Sequence, residues 1–230
     1  MPLRMVSAPS PQFILASASP RRRQLLGLTG WTFTTAQASL DESPQPGEAP
    51  EALAARLAQA KAEAVARAGS SGPSWVLAAD TVVVDQGRVL GKPDSDREAL
   101  SMLSSLRGRQ HQVITGIAIF DSATGGQQSE TCHSDVPMRS YSQVEAEAYV
   151  ARGAALDKAG GYGIQDRAFH PVDMQLMRDC YANVMGLPLC HLVRAMRRLG
   201  VEPPSDVPEA CQAHTQYRCP VYTEILEGRR

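Results

Sequence analysis

The sequence predicts an α/β protein built on a mixed, twisted β-sheet flanked by helices. Three observations lead there. Short apolar runs alternate with helical periods, Asp85-Gln86-Gly87 joins two runs as an antiparallel hairpin, and no internal repeat competes with a single core. The chain has 230 residues, 43% hydrophobic and 20% charged, enough for one sizeable core. A net charge of -1 supplies no global field for nucleic acid, so any affinity for phosphate has to be local. The apolar runs are strand length, well short of the ~20 residues that span a bilayer, so no membrane partner is expected. Residues 1–12 lack an apolar h-region and read as a flexible N-terminal tail of a cytoplasmic protein. Cys132, Cys180, Cys190, Cys211 and Cys219 are odd in number and widely spaced, as suits reduced thiols.

Each element follows from local chemistry. Residues 13–16, FILA, read as a short buried strand. Ser19 can cap and Pro20 can open a helix that stops near Gly27 or Gly30. A second strand over 31–35 precedes the Pro/Gly/acidic loop QASLDESPQPGEAP. An alanine-rich helix over 51–68 is closed by GSSGPS. The apolar run 75–84 turns into 88–90, and a helix over 96–106 stops at Gly108. Strands follow at 112–120 and 129–141, separated by Gly125-Gly126. Ser142 and Glu145 make a capping box for a helix that Gly153 ends. Gly160, Gly161 and Gly163 mark an irregular loop, and 188–199 is an amphipathic helix ending at Gly200. Residues 201–230 show no clear period and read as a C-terminal extension of unknown role.

Several polar residues stand where apolar ones belong. Arg21, Arg22 and Arg23 crowd the first turn of a helix, where the dipole disfavours cations by up to ~1 kcal/mol. An external anion, bound partly by the free amides of that turn, resolves the conflict. Successive helical side chains diverge by ~100°, so the three cannot grip one phosphate, and Arg23 is expected to face solvent. Lys61 lies in the apolar arc of Leu53, Leu57 and Val65; it either snorkels, the favoured reading taken alone, or meets a buried anion. In WVLAADTVVVD, alternation puts Val76, Ala78, Asp80, Val82 and Val84 on one face. Asp80 is then a carboxylate among valines, unless a bulge or strand end falls at Asp80-Thr81. Lys92 in a tight turn, the acidic pair Asp41-Glu42, and Asp157-Lys158 beside the glycine loop are singly ordinary loop residues. Together they supply cations for a polyphosphate and oxygen ligands for magnesium or manganese. Cys180, Cys190, His191, Cys211, His214 and Cys219 include no tight C-x2-C pair and read as ordinary thiols and histidines.

SASPRRRQLL, Asp41-Glu42, the helical Lys61, AADTVVV, LGKP, HQVITG, LDKAGGYGIQ and NVMGLPL occur in that order. With this set the chain resembles the Maf family of nucleoside triphosphate pyrophosphatases over residues 13–199. The resemblance implies a Maf/ITPase-like domain over 13–200, with two lobes and a central cleft, often as a homodimer. It also implies hydrolysis of a nucleoside triphosphate substrate to the monophosphate and pyrophosphate, with a divalent metal cation, magnesium or manganese. Carried over by motif, Ser19, Arg21 and Arg22 hold phosphates, Lys61, Lys92 and Lys158 line the same cleft, and Asp80 is the proton acceptor. Glu42, Asp80 and Asp157 are the metal-ligand candidates; whether Asp80 deprotonates water or positions it on a metal is left open. Arg21, Thr81 and Gln165 look like the set associated with dTTP and UTP, and the Gln165 amide suits the edge of a uracil or thymine ring. After Gln165 the family usually continues with glycine, where this chain has Asp166. Two other functions stay in view: the same chemistry on modified purine or methylated GTP nucleotides, and a non-catalytic nucleotide-binding regulator of cell division.

Overall fold

The computed structural model describes residues 12–37, 39–69 and 72–230. Of the N-terminal tail read from sequence, all but Gln12 lies outside the described residues. Six strands form one mixed sheet. β1 (Gln12–Ala16) lies between β2 (Phe33–Ala36) and β3 (Ser74–Asp85) and runs parallel to both. β3 pairs antiparallel with β4 (Arg88–Leu90) and β5 (Gln110–Asp121), and β5 pairs antiparallel with β6 (Gln127–Pro137). The hairpin expected from sequence is present: Gln86 and Gly87 take φ of 50° and 78°, the two left-handed residues that so short a turn between twisted strands requires.

One edge of β3 is shared between two partners. β1 covers it as far as Leu77 and β4 from Val83 onward, so residues 78–82 have, among the described residues, a strand neighbour only on the β5 side. The register there is unbroken, with Asp80 opposite Gly116 and Thr81 opposite Thr115, so no bulge relieves Asp80. β1 ends at this gap, and the next two strands lie on opposite sides of it. Sheets of this class open a crevice at such a switch point.

Helices cover both faces. On one, α2 (Pro50–Arg67) buries Leu53, Ala54, Leu57, Ala58, Ala62 and Val65. Its contacts split into two apolar clusters, one around Val76, Ala78 and Ala118, the other around Val82, Val84 and Ile114. Asp80 falls between them on the same strand face. α2 rides close to the sheet at Gly116, where an added Cβ would come 2.5 Å from the Ala54 carbonyl oxygen. The main core fills the other face under α1 (Pro20–Gly27), α3 (Asp96–Leu106), α4 (Gln143–Val150), the short α5 (Tyr181–Val184) and α6 (Leu189–Arg198). Ser19 caps α1, and the Ser142/Glu145 capping box opens α4.

Residues 201–230 are not loose. They carry α7 (Val207–Thr215) and α8 (Tyr222–Leu226), and Val207, Val221 and Ile225 enter the main core. Trp31 Nε1 donates to the Glu202 carbonyl at 3.2 Å, and the Ser205 amide donates to the Thr29 carbonyl at 3.3 Å. Each of these helices buries a single side chain, too few to print a period on the sequence. All five cysteines are free thiols, and among the described residues no helix is long and apolar enough to cross a membrane.

Two predictions follow from packing. Gly116→Ala should destabilise the fold by about 1–3 kcal/mol, because the backbone of α2 cannot yield as a flexible side chain could; thermal unfolding checks it, and an unchanged midpoint would show that α2 sits further off. His111 and His191 are buried, and burial pushes their pKa values down to about 4 and about 3. As the pH drops below about 6.5 the unfolded chain takes up these protons first, so stability is full above that value and declines towards pH 4. The loss should be on the order of 3 kcal/mol per histidine. Urea unfolding at neutral and mildly acid pH should show it, with His191→Gln flattening the slope.

Candidate active site

A cleft of about 680 Å³ opens on the uncovered edge of β3. That volume suits a nucleotide-sized ligand. Its lining includes Ser19, Arg21, Arg22, Glu42, Lys61, Asp80, Thr81, Lys92, Asp157, Lys158 and Gln165, so of the candidate ligands named from sequence only Asp41 lies outside this cavity. Arg23 points to solvent, as the helical geometry requires.

The α2 side of the cleft centres on Lys61. Its Nζ lies 2.6 Å from Asp80 Oδ1 and 2.8 Å from Glu42 Oε1. Lys61 does not snorkel: its side chain is 13% exposed and that of Asp80 9%, and each satisfies the other. Helical periodicity alone could not reveal the anion waiting on the facing strand. Asp41, beside Glu42, is outside the cleft lining; hydrogen bonding to Ser43, from its side chain first and then its amide, holds the Asp41 carboxyl below the usual range. The acidic loop is fastened to α2 by a two-pronged Arg56–Glu48 pair at 2.6 and 2.8 Å, whose hydrogen bonds pull Glu48 down to about 2.

The opposite side is built on the start of α1. Arg22 donates from Nε to the Gly186 carbonyl at 2.8 Å and from Nη2 to Thr81 Oγ1 at 3.0 Å. Burial lowers its pKa, against an opposing pull from Asp80. Thr81 Oγ1 also meets Thr115 Oγ1 at 2.9 Å, and Thr115 donates to the Asn183 carbonyl. Thr81 lines the cleft as expected, and its hydroxyl also orients Arg22. Arg21 Nη1 lies 3.1 Å from Asp157 Oδ2, while Asp157 Oδ1 lies 2.7 Å from Lys158 Nζ. Burial pushes the Asp157 carboxyl up, but hydrogen bonds from Lys158 and Arg21 outweigh it and leave the pKa lowered. Lys92, in the turn after β4, has no carboxylate partner among the described residues.

The three metal-ligand candidates do not meet as one group. Among the described residues no group of three His, Cys, Asp or Glu side chains is placed to hold a metal ion. Glu42 and Asp80 converge on Lys61, but Asp157 is taken by Arg21 and Lys158. Carboxylates brought together without a cation repel; here Glu42 and Asp80 share Lys61, and Asp157 has Arg21 and Lys158. Sequence reasoning missed Gln37, Tyr162 and Thr115, and assigned no role to Gly186, whose carbonyl fixes Arg22. None of the four stands out by type or spacing.

Fold and cleft together define an α/β protein with a cation-lined crevice at the end of a mixed sheet. Residues 12–199 match the Maf-like protein family, and the chain belongs to that family. A dTTP/UTP pyrophosphatase from Dehalococcoides mccartyi is 45% identical over 193 residues, which cover 84% of each chain. One from Geotalea uraniireducens is 43% identical, covering 81% of this chain and 94% of its own. One from Thermomicrobium roseum is 44% identical over 225 residues, 94% of this chain and 96% of its own, so its likeness runs well into the C-terminal extension. A solved HAM1 protein from Coxiella burnetii covers 90% of this chain and 98% of its own at 13% identity, with a TM-score of 0.42, too distant to bear on function.

Lys61→Met would strand the Asp80 carboxylate in the apolar face and should cost about 3–5 kcal/mol of stability. Adding Asp80→Asn should recover most of that loss. Denaturant titration of the two single variants and the double variant tests the coupling, and simply additive losses would refute it.

Proposed function

We propose that this protein is a nucleoside triphosphate pyrophosphatase that hydrolyses dTTP and UTP to the monophosphate and pyrophosphate. The observation that carries it is the convergence of Arg21, Arg22, Lys61, Lys92 and Lys158 with Glu42, Asp80 and Asp157 in one cleft. This convergence occurs in a chain 43–45% identical to proteins named dTTP/UTP pyrophosphatase. Five cations against three carboxylates make the cleft net positive, as a polyphosphate requires. Attack of water at the α-phosphorus builds charge on the equatorial oxygens and on the departing pyrophosphate. Cations already fixed by Gly186, Thr81 and the facing carboxylates stabilise that charge without reorganising.

Asp80 is the proton acceptor in this reading. Lys61 orients it through Oδ1, and Oδ2 has no hydrogen-bond partner among the described residues, which leaves that oxygen to meet the attacking water. Glu42 and Asp80 fit a magnesium or manganese ion held jointly with substrate phosphates, since such ions take one or two carboxylates and keep several waters. When bound, the ion adds Lewis-acid stabilisation at the phosphoryl oxygens. Asp157 serves as the counter-ion of Arg21 and Lys158. Gln165 lines the cleft near Lys158 and offers its amide to the pyrimidine edge.

A nucleoside triphosphate panel with pyrophosphate detection, run with magnesium, manganese and cobalt, should rank dTTP and UTP first. Asp80→Asn should stay folded, with a lowered unfolding midpoint because Lys61 loses a buried partner, and should lose about 10²-fold or more in kcat at a temperature where it is native. Full turnover in that variant would remove Asp80 from the mechanism, and a preference for purines would overturn the base assignment.

A further inference from the structure

We infer that Asp166 is a positioning residue for the substrate and acts through Lys158; the identity of the substrate rests on the function proposed above. The Lys158 side chain is only 10% exposed and is held from three directions. Its ammonium donates to the Ala154 carbonyl and to Asp157 Oδ1 at 2.7 Å, with Asp166 Oδ2 at 3.8 Å. An ammonium has three N–H donors. Two are committed, and Asp166 stands beyond hydrogen-bond range, so it attracts the charge without consuming the third donor. That donor is free for an acceptor atom of a ligand in the cleft.

Asp166 is itself held in place. The Tyr149 hydroxyl donates to the same Oδ2, Phe169 stacks on the Tyr149 ring at 4.5 Å, and the His170 amide bonds back to the Asp166 carbonyl at 3.1 Å. Gly163 is what allows the group to converge. A Cβ at that position would meet Asp166 Oδ2 at 2.8 Å, Lys158 Cε at 2.9 Å and Gln165 Nε2 at 2.9 Å. Three polar side chains therefore pass over one glycine, at the Gln165 end of the cleft.

The two carboxylates on Lys158 differ in one respect. Asp157 is shared with Arg21, whereas Asp166 has no second cation within ion-pairing distance among the described residues. When a triphosphate draws Arg21 away from Asp157, a lysine tied to Asp157 alone would be free to follow either partner. Asp166 keeps Lys158 beside Gln165 while Arg21 turns to phosphate. The third N–H then meets the sugar or base end of the nucleotide in a constant position.

The test is steady-state pyrophosphate release from dTTP and UTP by wild type, Asp166→Asn, Asp166→Glu, Lys158→Met and the Lys158→Met/Asp166→Asn double variant, with an unfolding midpoint for each. Asp166→Asn should raise KM about tenfold with kcat little changed, the mark of lost binding rather than lost chemistry. Asp166→Glu should recover part of that loss, and in the Lys158→Met background Asp166→Asn should add nothing further. Losses that multiply, or an unchanged KM, would overturn the inference. A second measurement needs no turnover: trace acetylation of lysine amines read by mass spectrometry. Asp166→Asn should speed labelling of Lys158 several-fold and leave Lys61 unchanged, and equal rates at Lys158 would also overturn it. If wild type released no pyrophosphate while Lys158 labelling still responded, the proposed activity would fall and the hold of Asp166 on Lys158 would stand.

Discussion

An ionised carboxylate in the middle of an apolar sheet face is the constraint around which this domain is arranged. Asp80 cannot stay there alone, because stripping water from an unpaired charge costs more than a fold of ordinary stability can absorb. α2 must therefore cross the sheet at a height that delivers Lys61 to Asp80, and Gly116 supplies the clearance. The apolar residues of α2 divide around the pair into two clusters rather than forming one stripe. β1 and β4 leave the same stretch of β3 uncovered, so the pair faces a cavity instead of another strand. Had either strand run two residues further, the ion pair would be sealed in and have nothing to act upon.

The facing wall solves a different problem. Three arginines at a helix start work against the dipole, and burial works against Arg22 as well. The cost is offset by rigid acceptors, the Gly186 carbonyl and Thr81 for Arg22 and Asp157 for Arg21. Holding cations at fixed points ahead of any ligand is what electrostatic catalysis needs, since less reorganisation is left for the reaction itself.

Much of this was legible in the sequence, and the failures have a common cause. Strands, the hairpin and the caps Ser19 and Ser142 announce themselves through local spacing, whereas the caps Ser95 and Asp206 do not stand out. Asp80 and the arginines were found because they break the pattern of their own element. Spacing does not show that Lys61 is paired rather than snorkelling, that Thr81 also holds Arg22, or that Asp157 stands apart from Glu42 and Asp80. In each case the deciding fact was a partner far away in sequence: Asp80 for Lys61, Arg22 for Thr81, Arg21 for Asp157. Residues 201–230 were opaque for a related reason, since their few buried side chains are anchored by residues such as Trp31 and Thr29.

The chain of hydroxyls behind Arg22 carries one more implication. A carbonyl can only accept, so the proton of Thr115 goes to Asn183, and Thr115 must in turn receive the proton of Thr81. Thr81 is left with lone pairs and no hydrogen to give, and one of those lone pairs already faces Arg22. The Thr81 oxygen is thus an acceptor beside a donor: the Arg22 guanidinium attracts a phosphoryl oxygen, and the neighbouring lone pair welcomes an O–H or N–H. A nucleotide entering the cleft meets a built-in polarity that tells its charged tail from its hydroxylated and heterocyclic parts before any atom reacts.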